Sequence, residues 1–189
     1  GLFVSAESMI NYRTHRNIAE IHSRVVDLGC RRHEVHPMYP SDFAAALPVL
    51  PLDQLRSAIE ILLDRRDKSV WMLFGTLPFF ACGGPEDRRL LARLSREPNV
   101  TVRNDPDGRN RLNVNTFTGD VTVTDFASVP PIGNVLRDAL DDLFDRWTGH
   151  ELQRKVSCYC PSADCCGPNL LVADMYYRDT DFTRRKAFL

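Results

Sequence analysis

The feature that narrows the fold most is a rhythm in the first hundred residues, where short apolar runs alternate with amphipathic segments long enough to be helices. Leu2-Phe3-Val4 is the first strand candidate. From Asn17 to Leu28, the residues Ile18, Ile21, Val25 and Leu28 fall on one helical face, and Gly29 supplies a stop. A second strand candidate spans His33 to Met38. The stretch from Pro51 to Leu63 then puts Leu52, Leu55, Ile59, Leu62 and Leu63 on one helical stripe. Val70 to Thr76 reads as a third strand, Glu86 to Arg96 as a third helix and Asn99 to Val102 as a short fourth strand. Strand and helix in alternation imply βα units around a parallel sheet. Three such units neither close a barrel nor bury both edges of a sheet, so this half of the chain is expected to need a partner.

After residue 103 the pattern changes. Asn104-Asp105-Pro106-Asp107-Gly108 is a turn cluster, and Asn113 to Thr124 reads as two strands around Thr118-Gly119-Asp120. Pro130-Pro131-Ile132-Gly133-Asn134 leads into a helix expected from Val135 to Trp147, with Leu136, Leu140, Leu143, Phe144 and Trp147 on a shared face. Asp138, Asp141, Asp142 and Asp145 on that helix read as a solvated acidic face. Two domains are expected, 1–103 and 104–189.

The 24 basic and 25 acidic residues nearly cancel, leaving a net charge of −1 and no global field that would recruit nucleic acid or an anionic membrane. No stretch reaches the roughly 18 to 20 apolar residues that span a bilayer, and the start lacks a basic segment followed by an apolar core. A cytoplasmic protein is expected.

Four of the six cysteines crowd into Cys158-Tyr159-Cys160-Pro161-Ser162-Ala163-Asp164-Cys165-Cys166. Disulfide frameworks spread their cysteines to staple distant loops, so crowding favours metal ligation. Cys158, Cys160 and Cys165 form C-x-C-x4-C on a segment that Pro161 and Gly167 help to fold back, and soft thiolates so placed can reach three corners of an iron–sulfur cluster. Structural zinc is the rival, although its usual arrangement is two close cysteine pairs separated by a longer loop, and a second pair is missing here. A fourth ligand is open between Cys166 and Cys82, the latter in a turn after the third strand candidate. Cys30 begins a strand and reads as a small core residue.

The cysteine spacing, followed by Gly167-Pro168-Asn169-Leu170-Leu171 and preceded by His33-Glu34-Val35-His36-Pro37-Met38-Tyr39-Pro40-Ser41-Asp42-Phe43 and Asn104 to Arg111, resembles the CxCxxxxC-motif radical S-adenosylmethionine (SAM) proteins, specifically their YfkB-like portion, over nearly the whole chain. A looser similarity joins Thr118 to Val123, Pro131 to Val135 and the following helix to the SPASM or twitch extensions of radical SAM enzymes, which hold auxiliary [4Fe–4S] clusters. Those extensions carry a cysteine just after the outgoing hairpin strand. Thr122, Thr124 and Asp125 stand there instead, so the resemblance implies one auxiliary cluster rather than two. The family's SAM-cleaving cluster needs C-x3-C-x2-C, and no three cysteines of this sequence have that spacing. What the resemblance implies is therefore half of a radical-SAM-type (βα) partial barrel followed by a small hairpin-plus-helix iron–sulfur domain, completed by an N-terminal radical SAM half or by self-association. Its role would be to form substrate-side walls and hold an auxiliary cluster, with SAM bound only when the other half is present. A zinc-stabilised, non-enzymatic interaction domain is the alternative.

Other polar residues cluster at expected strand ends. His33 and His36 are three apart, and in an extended strand they point to opposite faces, which disfavours a shared metal site. His36, Tyr39 and Asp42 are expected on the loop leaving the second strand, where parallel α/β proteins keep their sites, or else they hydrogen-bond that loop. Ser5, Glu7, Asn11 and Arg13 follow the first strand candidate in the same topological position. The resemblance would set them near the ribose or methionine part of SAM; ordinary helix capping is the other use for such residues. Arg103, Asn104, Asp105, Arg109 and Arg111 make a charged turn, open to substrate or simply solvated.

Overall fold

The computed structural model describes residues 2–40, 44–80, 84–103, 112–124, 129–150 and 176–177. Its larger part is a sheet of four parallel strands, β1 (Ser5–Ile10), β2 (Arg32–Pro37), β3 (Trp71–Gly75) and β4 (Val100–Arg103), lying side by side in sequence order. Helices α1 (Ile18–Asp27), α2 (Leu52–Arg65) and α3 (Pro85–Arg96) make the three crossovers.

Side chains alternate across a strand, so each register row belongs to one face. Ile10, Val35, Met72 and Phe74 share one face and merge into a single core with Ile18 of α1, Leu55, Ile59, Leu62 and Leu63 of α2, and Leu90, Leu91 and Leu94 of α3. All three helices thus pack on the same face. Arg56 fastens α2 to α3 by pairing with Asp87 at 2.6 Å and Glu86 at 3.0 Å. The helix ends follow from local sequence. Gly29, at φ +76°, closes α1 as the Cys30 N–H reaches Val25 O and the Gly29 N–H reaches Val26 O, the paired reverse bonds of a left-handed terminus. Pro85 opens α3 at its first turn, and the helix stops before Pro98.

The first strand lies later than the apolar run indicated. Leu2, Phe3 and Val4 are exposed and precede β1, whose body Ser5-Ala6-Glu7-Ser8-Met9-Ile10 turns Ala6, Ser8 and Ile10 toward the helices. An edge strand covered on one side needs only every second residue to be apolar or small, so a mixed sequence serves. Cys30 is buried, as its position at the start of a strand implied.

The remaining elements form a small antiparallel sheet in the order β5 (Asn113–Val114), β6 (Asp120–Thr122), β7 (Gly133–Asn134), followed by α4 (Leu140–Gly149). Asn115 accepts from the N–H groups of Phe117 and Thr118 to shape the β5–β6 turn, and Gly119 there has φ +77°. Asn134 ties the unit together: its Nδ2 donates to Thr118 O and Asp120 Oδ1, and its Oδ1 accepts from Leu136 N. The helix expected from Val135 begins only at Leu140. Asn134 O captures the N–H groups of Arg137 and Asp138, the Asp138 carboxylate takes the Asn134 N–H at 2.7 Å and the Arg146 guanidinium at 2.9 Å, and Ala139 is extended. The segment before α4 is therefore a turn. Of the apolar face expected there, Leu143 and Trp147 are buried, whereas Leu136, Leu140 and Phe144 are exposed. Asp141, Asp142 and Asp145 face solvent as expected. The molecule is thus mixed α/β. No helix among the described residues is long and apolar enough to cross a membrane.

Candidate functional site

The sheet face away from the helices is polar. Three rows cross it: Ser5, Arg32 and Trp71; then Glu7, Glu34, Leu73 and Thr101; then Met9, His36, Gly75 and Arg103 at the carboxyl ends of the strands. On this face only Leu73 and Gly75 are buried. Glu34 links two of the rows, accepting from Arg32 Nη2 at 2.6 Å and lying 3.7 Å from His36 Nε2, while Glu7 stands 3.9 Å from the same nitrogen. Arg32 in turn lies over the Trp71 ring at 5.7 Å, and the Trp71 indole N–H donates to Thr101 Oγ1. An imidazole flanked by two carboxylates can pass a proton to or from a bound group, and the carboxylates attract a cation.

The carboxyl end is shaped by two backbone features. A Cβ built at Gly75 would collide with the ring of His36, so the missing side chain is what lets the imidazole lie across β3. The next residue, Thr76, has φ +57°, a conformation that β-branched residues seldom adopt. It is held from both sides: its N–H donates to Arg103 O at 3.1 Å, and its carbonyl accepts from the Tyr39 hydroxyl at 2.8 Å. Strain of this kind at strand ends is a mark of functional sites in parallel α/β proteins.

Among residues singled out from sequence, Ser5, Glu7 and His36 lie within strands on this polar face, not on loops after them. Asn11 does follow β1, but its Oδ1 accepts from Arg13 N and Thr14 N, which is ordinary turn capping, and the Arg13 guanidinium covers the Tyr12 ring. Tyr39 lies just past β2, as expected. It is buried, stacked on Tyr176 at 5.3 Å and bonded to Thr76, and burial together with the neighbouring Tyr177 and Tyr176 phenols holds its own phenol well above the usual range. Its hydroxyl braces the backbone at the carboxyl end of β3. His33 and His36 point to opposite faces, as strand geometry required. Arg103 is the last residue of β4 and not part of a turn. Cys158, Cys160, Cys165, Cys166, Cys82, Asp42, Asn104, Asp105, Arg109 and Arg111 lie outside the described residues. Among the described residues no group of three or more metal-ligating side chains is arranged to hold an ion. Sequence reasoning overlooked Glu34, Gly75 and Thr76. Glu34 was within reach of it, since a residue two before His36 in a strand must share its face.

A family model described as a YfkB-like domain matches residues 38–187 of the chain. The chain is also 56% identical, over 189 residues, to the "Putative protein YfkA" of Bacillus subtilis (strain 168), an alignment that takes in 99% of this chain and 51% of that relative. The chain thus spans about half the length of the curated relative it matches. No solved structure matches it. With its family match running from the end of β2 through the cysteine run, the chain belongs to the YfkB-like domain family.

Proposed function

We propose that this chain is one half of a radical SAM-type enzyme, in which the parallel sheet is half of a partial barrel and the cysteine run holds an auxiliary iron–sulfur cluster. The observation that carries the proposal is the sheet itself: four parallel strands in strict sequence order, the three crossover helices on one face and a row of polar side chains on the other. A sheet wound in one direction only is the arrangement that curls into a barrel, with the helices outside and the polar face as the inner wall. The length of the relative, about twice this chain, leaves room for the remaining strands.

In that arrangement Glu7, Glu34 and His36 line the interior near the carboxyl ends of the strands, where they bind and orient a substrate and hold a proton at His36 Nε2. The donor set of Cys158, Cys160 and Cys165, three thiolates on one short segment, suits iron by its softness. When bound, the cluster supplies one-electron transfer or an iron that fixes a substrate atom. The SAM-cleaving cluster belongs to the other half, because the C-x3-C-x2-C spacing is missing from this sequence. The test is an anaerobic assay of 5′-deoxyadenosine under strong reductant, with this chain alone and with the complementary half of the longer relative added. Turnover is expected only in the mixture. Turnover by this chain alone, or none in a mixture in which both halves hold their clusters, contradicts the proposal.

A further inference from the structure

Four segments meet at a chain of hydrogen bonds beneath the helices, buried at its His22–His33 link and half-buried at its two ends. His22 of α1 and His33 of β2 are 1% and 0% exposed, their rings stacked with centroids 5.2 Å apart and their Nδ1 atoms separated by 3.0 Å. The direction of every bond follows from one end. The backbone N–H of Asp67, between α2 and β3, donates to His22 Nε2 at 3.0 Å, so that nitrogen is unprotonated. Neutral His22 therefore carries its proton on Nδ1 and donates to His33 Nδ1, which leaves the His33 proton on Nε2, donating to Ser8 Oγ of β1 at 2.8 Å. Each ring nitrogen has one partner of the right kind, provided both rings are neutral.

We propose that the chain Asp67–His22–His33–Ser8 is an acid-sensitive latch that fastens the edge strand β1 and helix α1 to the rest of the sheet. One added proton turns an acceptor into a donor. On His22 it sets Nε2–H against the Asp67 N–H; on His33 it sets Nδ1–H against the Nδ1–H of His22. Two donors then face one another, at full desolvation cost in the buried His22–His33 link and at a smaller cost at the half-buried Asp67 end. The surroundings favour the neutral forms. Burial lowers both histidines from 6.5, with the Asp67 carboxylate opposing it at His22 and the Arg66 guanidinium reinforcing it, and burial together with His22 brings His33 down to about 4. From β1 the group facing the rings is the uncharged Ser8 hydroxyl. The sign follows. Above pH 6.5 open and closed states are both neutral and the latch holds in full; as the pH falls from 6.5 toward about 4 the open state binds protons that the closed state refuses, and opening gains. The latch stands on these four residues and does not depend on the iron–sulfur proposal.

Hydrogen exchange of the full chain at pH ~7 and ~5, corrected for intrinsic rates, tests it. Protection across residues 5–10 and 18–27 is expected to fall by roughly tenfold or more on acidification, while residues 85–103 hold theirs. His33→Asn keeps an acceptor for the His22 Nδ1–H but removes the more strongly shifted of the two titrating rings, so the pH dependence of both segments should shrink. A wild type whose segments lose protection uniformly or not at all overturns the latch, as does a His33→Asn variant that keeps the wild-type drop. Should that variant not fold, the ring-nitrogen NMR shifts of the wild type at neutral pH decide instead. Protons on His22 Nδ1 and His33 Nε2 support the latch, and a proton on His22 Nε2 overturns it.

Discussion

His36 lies across β3 only because Gly75 has no side chain, and this shows how much a site can hang on a missing atom. Gly75→Ala is expected to cost about 1–3 kcal/mol in urea denaturation and to shift the His36 ring resonances, as the new methyl group forces the imidazole aside. Gly29→Ala is the control. Nothing lies within 4 Å of a Cβ there, so its cost of about 1–2 kcal/mol comes from the positive φ alone and the His36 signals should stay in place. A Gly75→Ala protein with unmoved His36 signals would contradict the geometry. At the cysteine run, replacing Cys158, Cys160 or Cys165 singly by Ala should abolish the charge-transfer absorption of protein reconstituted with iron and sulfide; a triple variant that keeps full iron content would remove these residues from the ligand set. At this scale sequence reading singled out His36, Glu7 and Ser5 through their neighbourhood to apolar runs, and the three share one face of the sheet. It could not reach Gly75 or Thr76, whose parts depend on residues some forty positions away, and it left two uses open for Tyr39 because a tyrosine after a strand looks the same whether it faces a ligand or a core.

Among the elements, the helices were the most legible. Leu55, Ile59, Leu62 and Leu63 are buried as the periodicity of α2 demanded, the Gly29 stop falls where α1 ends, and α3 ends at Arg96 as read. Strands buried on both sides were equally plain in β3. The edge strand β1 was displaced, since a strand with one exposed face carries too few apolar residues to stand out from Leu2-Phe3-Val4 before it. The start of α4 was hidden for a different reason: Asn134 and Asp138 compete with the helix for backbone N–H groups, and side-chain capture of that kind leaves no trace in hydrophobic spacing. The second sheet gives a direct check. Asn134→Ala removes both amide donors and the acceptor of Leu136 N, leaving Asp120 and the Thr118 carbonyl without these bonds, and should destabilise by about 1–3 kcal/mol in thermal unfolding. A loss near zero would mean that water replaces the amide without penalty.

For the whole molecule, the two outer strands are the central fact. Among the described residues β1 and β4 each pair on one side only, and an unpaired edge in a parallel sheet invites further strands. Sedimentation of the purified chain is expected to show a dimer, or a heteromeric complex when the complementary half is present, with residues 5–10 protected from exchange more strongly in the assembly than in the dissociated chain. A monodisperse monomer whose β1 exchanges slowly would show that the chain closes its own edge. The proposal that the cysteine run holds an iron–sulfur cluster is tested most directly by metal and acid-labile sulfide analysis of the full chain purified without oxygen. Iron and sulfide in equal amounts, lost together when Cys158, Cys160 and Cys165 are replaced, is the expected result; stoichiometric zinc without sulfide would contradict it and identify a zinc-stabilised domain instead.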